Sequence, residues 1–363
     1  MTAYSAPAWL PGGHAQTLYP RFLPLAPLPY RRERWETPDG DFIDLDWNGP
    51  SPAAGEHQAL VILFHGLEGS SQSHYAQALM RALRDAGRPG VVVNFRGCSG
   101  EQNRLPRAYH GGDSDEIDWI LRRFRQSCPT RPLHAVGVSL GGNVLLKWLG
   151  ERENAADGIL QAAAAVSCPF DMSACGHHLA RGANRIYTQY FLRTLKRFAG
   201  EKLRCHPGLF DEARMRRARS LHDFDDVVTA PLHGFASAED YWRRASSKPW
   251  LGGIRVPTLL INARNDPFMP AGGLPERRQA SRHVEFDYPG EGGHVGFPTG
   301  PFPGRIDWLP QRLLRFFADG GQACDPGSSM AIEAAHDLSS CRTTLSETQW
   351  NHLPPKNAPS GSG

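Results

Sequence analysis

Two kinds of hydrophobic pattern alternate along this chain. Residues 59–64, 91–95, 133–138 and 162–167 are short runs in which nearly every position is apolar or small. Unbroken runs of that length predict strands covered on both faces. Between them, residues 73–86, 114–125 and 140–152 carry apolar side chains at helical spacing. The first of these puts Ala76, Leu79, Met80 and Leu83 on one face and stops at Gly87, and the second opens on a Ser/Asp cap. Strand, helix, strand at this spacing predicts βαβ units and a parallel sheet. Upstream, residues 34–47 alternate apolar and polar positions around Asp39-Gly40, which predicts a β-hairpin.

The alternation breaks after residue 167. Residues 170–250 are helical in pattern and basic, and strand-like runs resume only at 258–262 and 283–288, followed by an amphipathic helix at 308–317. This predicts a single α/β domain over 1–320, a mostly parallel sheet flanked by helices, with a helical cap inserted at about 170–250. The Pro- and Gly-rich first 55 residues are expected to wrap the domain surface. Residues 321–363, polar and small, are expected to be a disordered tail. No internal repeat is visible.

Composition narrows the class. Hydrophobic residues make up 40% and charged ones 21% of 363 residues, enough for a large core. A net charge of +3 supplies no global drive toward nucleic acid. The seven cysteines are scattered with no Cys-x-x-Cys pair, against a disulfide framework or zinc cage and in keeping with a reducing compartment. The N-terminus lacks a basic segment followed by a long apolar run, and no stretch nears the roughly 18 apolar residues of a membrane helix. A soluble, cytoplasmic protein is expected, with no integral membrane segment and with an oligomeric state that composition leaves open.

The chemistry concentrates in loops that follow the runs. Gly137-Val138-Ser139-Leu140-Gly141 lies between a strand and a helix. A serine hydroxyl becomes a nucleophile only when exposed, oriented and close to a base, and a strained strand-to-helix turn flanked by glycines supplies the exposure. No Gly-Lys-Ser/Thr follows, so the turn is not a phosphate loop. Asp266, in Arg264-Asn265-Asp266-Pro267-Phe268, follows the strand at 258–262 as candidate acid, with Asp287 its nearest competitor. His294, in Gly290-Glu291-Gly292-Gly293-His294, follows the next strand as candidate base. Serine, acid, histidine is the chain order of a nucleophile-elbow hydrolase. His65-Gly66-Leu67-Glu68-Gly69 follows the first buried strand, where the backbone amides of Leu67 and of Leu140 are candidate oxyanion donors. His65 and Gly66 are read as substrate-binding, with His65 shaping the loop, because the chain order puts the base last.

Three features are weaker. His110 and Asp115 form a His-x4-Asp pattern of the kind seen in some acyltransferases, and Arg96-Gly97-Cys98-Ser99-Gly100 follows a strand at the same edge. In residues 181–202, Ile186, Tyr190, Phe191 and Leu195 recur at helical spacing among Arg and Lys, which reads as core with a solvated face or as a grip on an anionic or lipid-like substrate.

These blocks together resemble the YheT-like α/β-hydrolases, a bacterial branch of a family with eukaryotic esterase and lipase relatives. The resemblance runs over about 8–318. Besides the motifs above it rests on Gly12-Gly13-His14-Ala15-Gln16-Thr17, Asn94 to Gly100, Tyr109-His110-Gly111-Gly112-Asp113, and Thr229-Ala230-Pro231-Leu232-His233-Gly234-Phe235. It implies the α/β-hydrolase fold, a triad of Ser139, Asp266 and His294, and activity on carboxylic esters without cofactor or metal. The expected partner is a small ester or lipid-like substrate. A thioesterase or acyltransferase on the same triad, or a silent binding module on this fold, stay open at this point.

Overall fold

The computed structural model describes residues 3–49, 58–270 and 272–320. The expected tail from 321 onward lies outside the described residues. Eight strands form one sheet: β1 (Arg31–Glu36), β2 (Phe42–Trp47), β3 (Leu60–Phe64), β4 (Gly90–Asn94), β5 (Leu133–Val138), β6 (Ala162–Val166), β7 (Thr258–Ile261) and β8 (Val284–Asp287). Their spatial order is β1-β2-β4-β3-β5-β6-β7-β8. The hairpin β1–β2 runs antiparallel to its neighbours and every other pairing is parallel. The hairpin turn is tightened at Gly40, whose φ of 83° suits glycine.

Alternation of side chains across the pleat builds two cores. Leu60, Ile62, Phe64, Val91, Val93 and Ala135 face one side. There they meet helices α3 (Ser114–Ser127) and α4 (Leu140–Arg152), through Ile117, Phe124, Leu145 and Trp148. Val61, Leu63, Val92, Val136, Val138 and Ile261 face the other. They are covered by α2 (His74–Asp85) and α12 (Trp308–Ala318), through Leu79, Leu83, Leu313 and Phe316. Helices on both faces explain why the strands read as unbroken apolar runs.

The hairpin departs from simple alternation. Asp44 and Asp46 of β2 are buried, where the pattern pointed them to solvent. Arg34 and Arg32 of β1 each grip one carboxylate with two nitrogens, at 2.8–2.9 Å. That bidentate pairing, with Asn94 and Ser71 also bonding Asp46, satisfies the charges away from water.

Three segments outside the sheet matter for the site. Near the start, α1 (Gly13–Leu18) interrupts the expected irregular wrap. After β5, α4 and the short α5 (Asn154–Asp157) lead into β6. Between β6 and β7 the chain forms the cap: α6 (Met172–Leu179), α7 (Arg185–Cys205), α8 (Glu212–Arg217), α9 (Leu221–Phe224), a π-turn over Asp225–Thr229, α10 (Ala230–Leu232) and α11 (Ala238–Ala245). The cap has a small core of its own, including Leu192, Ala199, Met215, Phe224 and Val228.

Candidate active site

Ser139 sits between β5 and α4 with φ 52° and ψ −118°, a conformation rare for any residue but glycine. Its surroundings leave no slack. A Cβ on Gly137 would lie 2.6 Å from the Gly141 carbonyl oxygen, and one on Gly141 would lie 2.4 Å from the Phe64 carbonyl oxygen. The two flanking glycines are therefore a packing requirement of the turn. The Ser139 amide is pinned to the Val166 carbonyl at 2.8 Å.

His294 Nε2 is 3.0 Å from Ser139 Oγ, and its Nδ1 is 2.9 Å from Asp266 Oδ2. With Nδ1–H donating a hydrogen bond to the carboxylate, Nε2 is left to accept from the serine hydroxyl. Asp266 is buried, and its other oxygen accepts from the Phe268 amide at 2.8 Å. The Phe268 ring stacks on the imidazole with centroids 3.9 Å apart. Asp287, the alternative acid, is held instead by Arg312 of α12 at 2.7 Å.

The loop after β3 runs beside the serine, where a Cβ on Gly66 would lie 3.0 Å from that of Ser139. The Gly66 amide donates to the Tyr75 hydroxyl and the Glu68 amide to the Tyr109 hydroxyl. Leu67 lies between these two occupied amides, and among the described residues no acceptor takes its N–H. Leu140 opens α4, so its amide has no acceptor within the helix.

His65 and Gly66, read as substrate-binding, are not among the residues that line the cavity. His65 is fully buried; its Nε2 accepts from the Phe95 amide at 3.0 Å and its Nδ1 donates to the Gly66 carbonyl at 2.8 Å. Burial pushes its pKa down to about 4, so it is a neutral brace joining the loop to β4.

Helix α1 supplies contacts that no local pattern in the sequence announced. Thr17 Oγ1 accepts the His294 amide at 2.8 Å and donates to the Gly13 carbonyl at 2.6 Å. Gln16, fully buried, accepts with Oε1 from both Asn265 and the Gly292 amide, at 2.9 and 2.8 Å. Asn265 Oδ1 in turn accepts the Gly293 amide at 3.0 Å. A Cβ on Gly13 would lie 1.9 Å from the Asn265 carbonyl oxygen, and one on Gly296 equally close to that of Gln16. The N-terminal segment thus clamps the acid turn and the base loop to each other. Ser167, also unremarked in the sequence, has φ 50° and accepts the Val295 amide with Oγ at 3.0 Å.

Above the triad is a cavity of about 170 Å³ that reaches Ser139, His294, Leu67 and Leu140. Much of its wall is apolar and comes from the cap, including Leu179, Phe191, Leu195, Phe198, Leu221 and Phe224. Glu68 stands beside the Leu67 amide in the same cavity. Its Oε1 accepts from Tyr109, its Oε2 has no partner among the described residues, and burial pushes its pKa up to about 7. Arg96 and Cys98 reach the wall, with Arg96 occupied by Asp39, Asp41 and Glu116. His110 and His233 also face the cavity, their rings 4.4 Å apart and their pKa values lowered by burial to about 4 and 3. His110 and Asp115 do not meet: Asp115 is exposed and pairs with Arg152, and the carboxylate near His110 is Asp113, at 3.9 Å. Among the described residues no group of histidine, cysteine and carboxylate side chains is arranged to hold a metal.

Comparison with known proteins identifies the fold and the family. Residues 59–301 match the family model described as the alpha/beta hydrolase fold. The chain is 41% identical over 304 residues to the "Putative esterase YheT" of Escherichia coli (strain K12), covering 83% of this chain and 88% of that one. It is 29% identical to the human Phospholipase ABHD3, covering 86% of this chain and 78% of the relative. An esterase of Pyrococcus furiosus, of known structure, superposes with a TM-score of 0.52 at 15% identity, over 81% of this chain and 92% of its own, and so shares the fold.

Proposed function

We propose that this chain, which belongs to the α/β-hydrolase fold family and within it to the YheT-like group, is a serine hydrolase that cleaves carboxylic esters through an acyl-enzyme. The observation that carries the reading is the unbroken hydrogen-bonded line Ser139–His294–Asp266, opening on an apolar cavity. His294 Nε2 takes the hydroxyl proton as Ser139 Oγ attacks the ester carbonyl. Asp266 steadies the imidazolium so formed. The amides of Leu67 and Leu140 receive the oxyanion, and the proton on His294 passes to the departing alcohol. Water, deprotonated by the same nitrogen, then releases the acid and restores Ser139.

The substrate class follows from the cavity wall. Phenylalanine and leucine side chains from the cap suit an acyl chain, in line with relatives named as an esterase and a phospholipase. Asp115 pairs with Arg152, so His110 and Asp115 form no second catalytic pair beside the proposed triad. The test is labelling by a fluorophosphonate probe together with turnover of esters of increasing chain length. The expected outcome is labelling and turnover that Ser139→Ala abolishes, with kcat lowered on the order of 10⁶-fold. Absence of labelling and of turnover on every ester would sink the proposal, and an active Ser139→Ala would remove Ser139 from it.

A further inference from the structure

Helix α7 has two working faces. Through Phe191, Leu195 and Phe198 it lines the cavity. A second row carries Ile186 and Tyr190, one turn apart and 63% and 48% exposed, with the Tyr190 ring edge-on to that of Phe191. Helix α1 and the 3-10 turn Tyr19–Phe22 adjoin α7. His14 Nδ1 is 3.0 Å from the Tyr187 hydroxyl with the two rings stacked, and the Arg21 guanidinium lies over the Tyr190 ring at 4.7 Å. Leu18, one turn beyond His14, and Phe22, next to Arg21, are 37% and 80% exposed. Four large apolar side chains from two adjoining segments are therefore exposed.

Cations frame them. Helix α7 carries six Lys and Arg against one Glu. Arg181, Arg185 and Arg193 are exposed, and none forms an ion pair among the described residues. Such a face set against a second copy of itself would oppose like charges across a two-fold axis. A surface that is apolar within and anionic at its boundary complements both features.

We infer that this face seats on an anionic lipid surface, with Leu18, Phe22, Ile186 and Tyr190 entering the headgroup boundary and Arg181, Arg185 and Arg193 meeting the lipid phosphates. The contact lies close to the chemistry. Tyr187, on the inner side of the same turn, packs against Phe268 at 4.8 Å, and Phe268 stacks on His294. A docked molecule would hold its cap and N-terminal helix against the source of an acyl substrate. The face is made of exposed residues outside the triad, so it stands or falls separately from the ester reading.

The test is sedimentation of the purified full chain with phosphatidylcholine vesicles, with and without phosphatidylglycerol. The expected result is binding that requires phosphatidylglycerol and weakens as salt screens the arginines. Arg185→Gln with Arg193→Gln lowers the partition coefficient about thirtyfold. Phe22→Ser with Ile186→Ser lowers it at least about tenfold. Both double variants keep the circular dichroism and the soluble-ester turnover of the parent chain. Equal sedimentation with both vesicle types, or with neither, would overturn the inference. So would a concentration-dependent dimer, lost in Phe22→Ser with Ile186→Ser, from a chain that binds no vesicles, since the face would then belong to a second copy. Vesicle binding without ester turnover, or the reverse, separates failure of one proposal from failure of the other.

Discussion

The loops that carry the triad and the cap that roofs them share one cavity, yet they are built on opposite principles. In the loops, position is over-determined. The Ser139 turn is closed by backbone contacts that admit only glycine at 137 and 141, and His294 is held by Asp266, Thr17 and the Phe268 ring. In the cap, apolar side chains fill space with few directional constraints, and its segment Asp225–Thr229 is a π-turn, a geometry less regular than an α-helix. Hydrogen bonds fix geometry to tenths of an ångström, whereas apolar contacts fix mainly volume. The first suits chemistry common to all substrates and the second suits discrimination among them.

The largest effect that would sharpen this division is expected at Thr17. Thr17→Val keeps the shape but removes the hydroxyl that accepts the His294 amide. Ester kcat should fall about a hundredfold, because a displaced base is costly, while the lost hydrogen bond changes unfolding free energy by only about 1 kcal/mol. The ratio of kcat/KM between long and short acyl chains should not change. If that ratio moves with the rate, clamp and cap are not separable.

A smaller effect of the complementary kind is expected at Leu195, on the cavity side of α7. Leu195→Trp should lower kcat/KM for long-chain esters about tenfold relative to short ones, with labelling of Ser139 by a small fluorophosphonate unchanged. An equal loss on all esters would show that the cap reaches the triad and not only the acyl chain.

The smallest effect tests the seam between the two regions. Glu68, beside the proposed oxyanion donors, has its carboxyl pushed up to about 7 by burial, so it is neutral below that pH and charged above it. A negative charge there opposes a developing oxyanion. A severalfold fall in kcat/KM is therefore expected as pH rises through about 7, and in Glu68→Gln that fall should vanish. A profile identical in the two proteins would exclude Glu68 from the electrostatics of the site.

Much of this was readable in the chain, for a local reason. Ser139, Asp266 and His294 each lie in the segment that follows a strand, and the parallel sheet brings the carboxyl ends of β5, β7 and β8 to one edge. The Gly12 to Thr17 block stood out as a marker of resemblance, but its task did not, since its partners lie about 250–280 residues away. His65 was read as shaping its loop, but the partners that fix it are not written nearby. It is two residues from Leu67, yet the Phe95 amide on the neighbouring strand and its own loop's carbonyl occupy both ring nitrogens and turn it inward. Asp44 and Asp46 look like solvent positions until the arginines of β1 are placed opposite them.

The sequence by itself determined the strand and helix alternation, its interruption by a helical insertion and the order of the proposed nucleophile, acid and base, because each is written in short-range periodicity or in a motif of a few residues. Tertiary structure decided which of two equivalent apolar rows on α7 faces the cavity and which faces solvent, and it joined α1 to the catalytic loops. Helical spacing gives every row of side chains the same signature, and only the neighbours that pack against a row decide what it does.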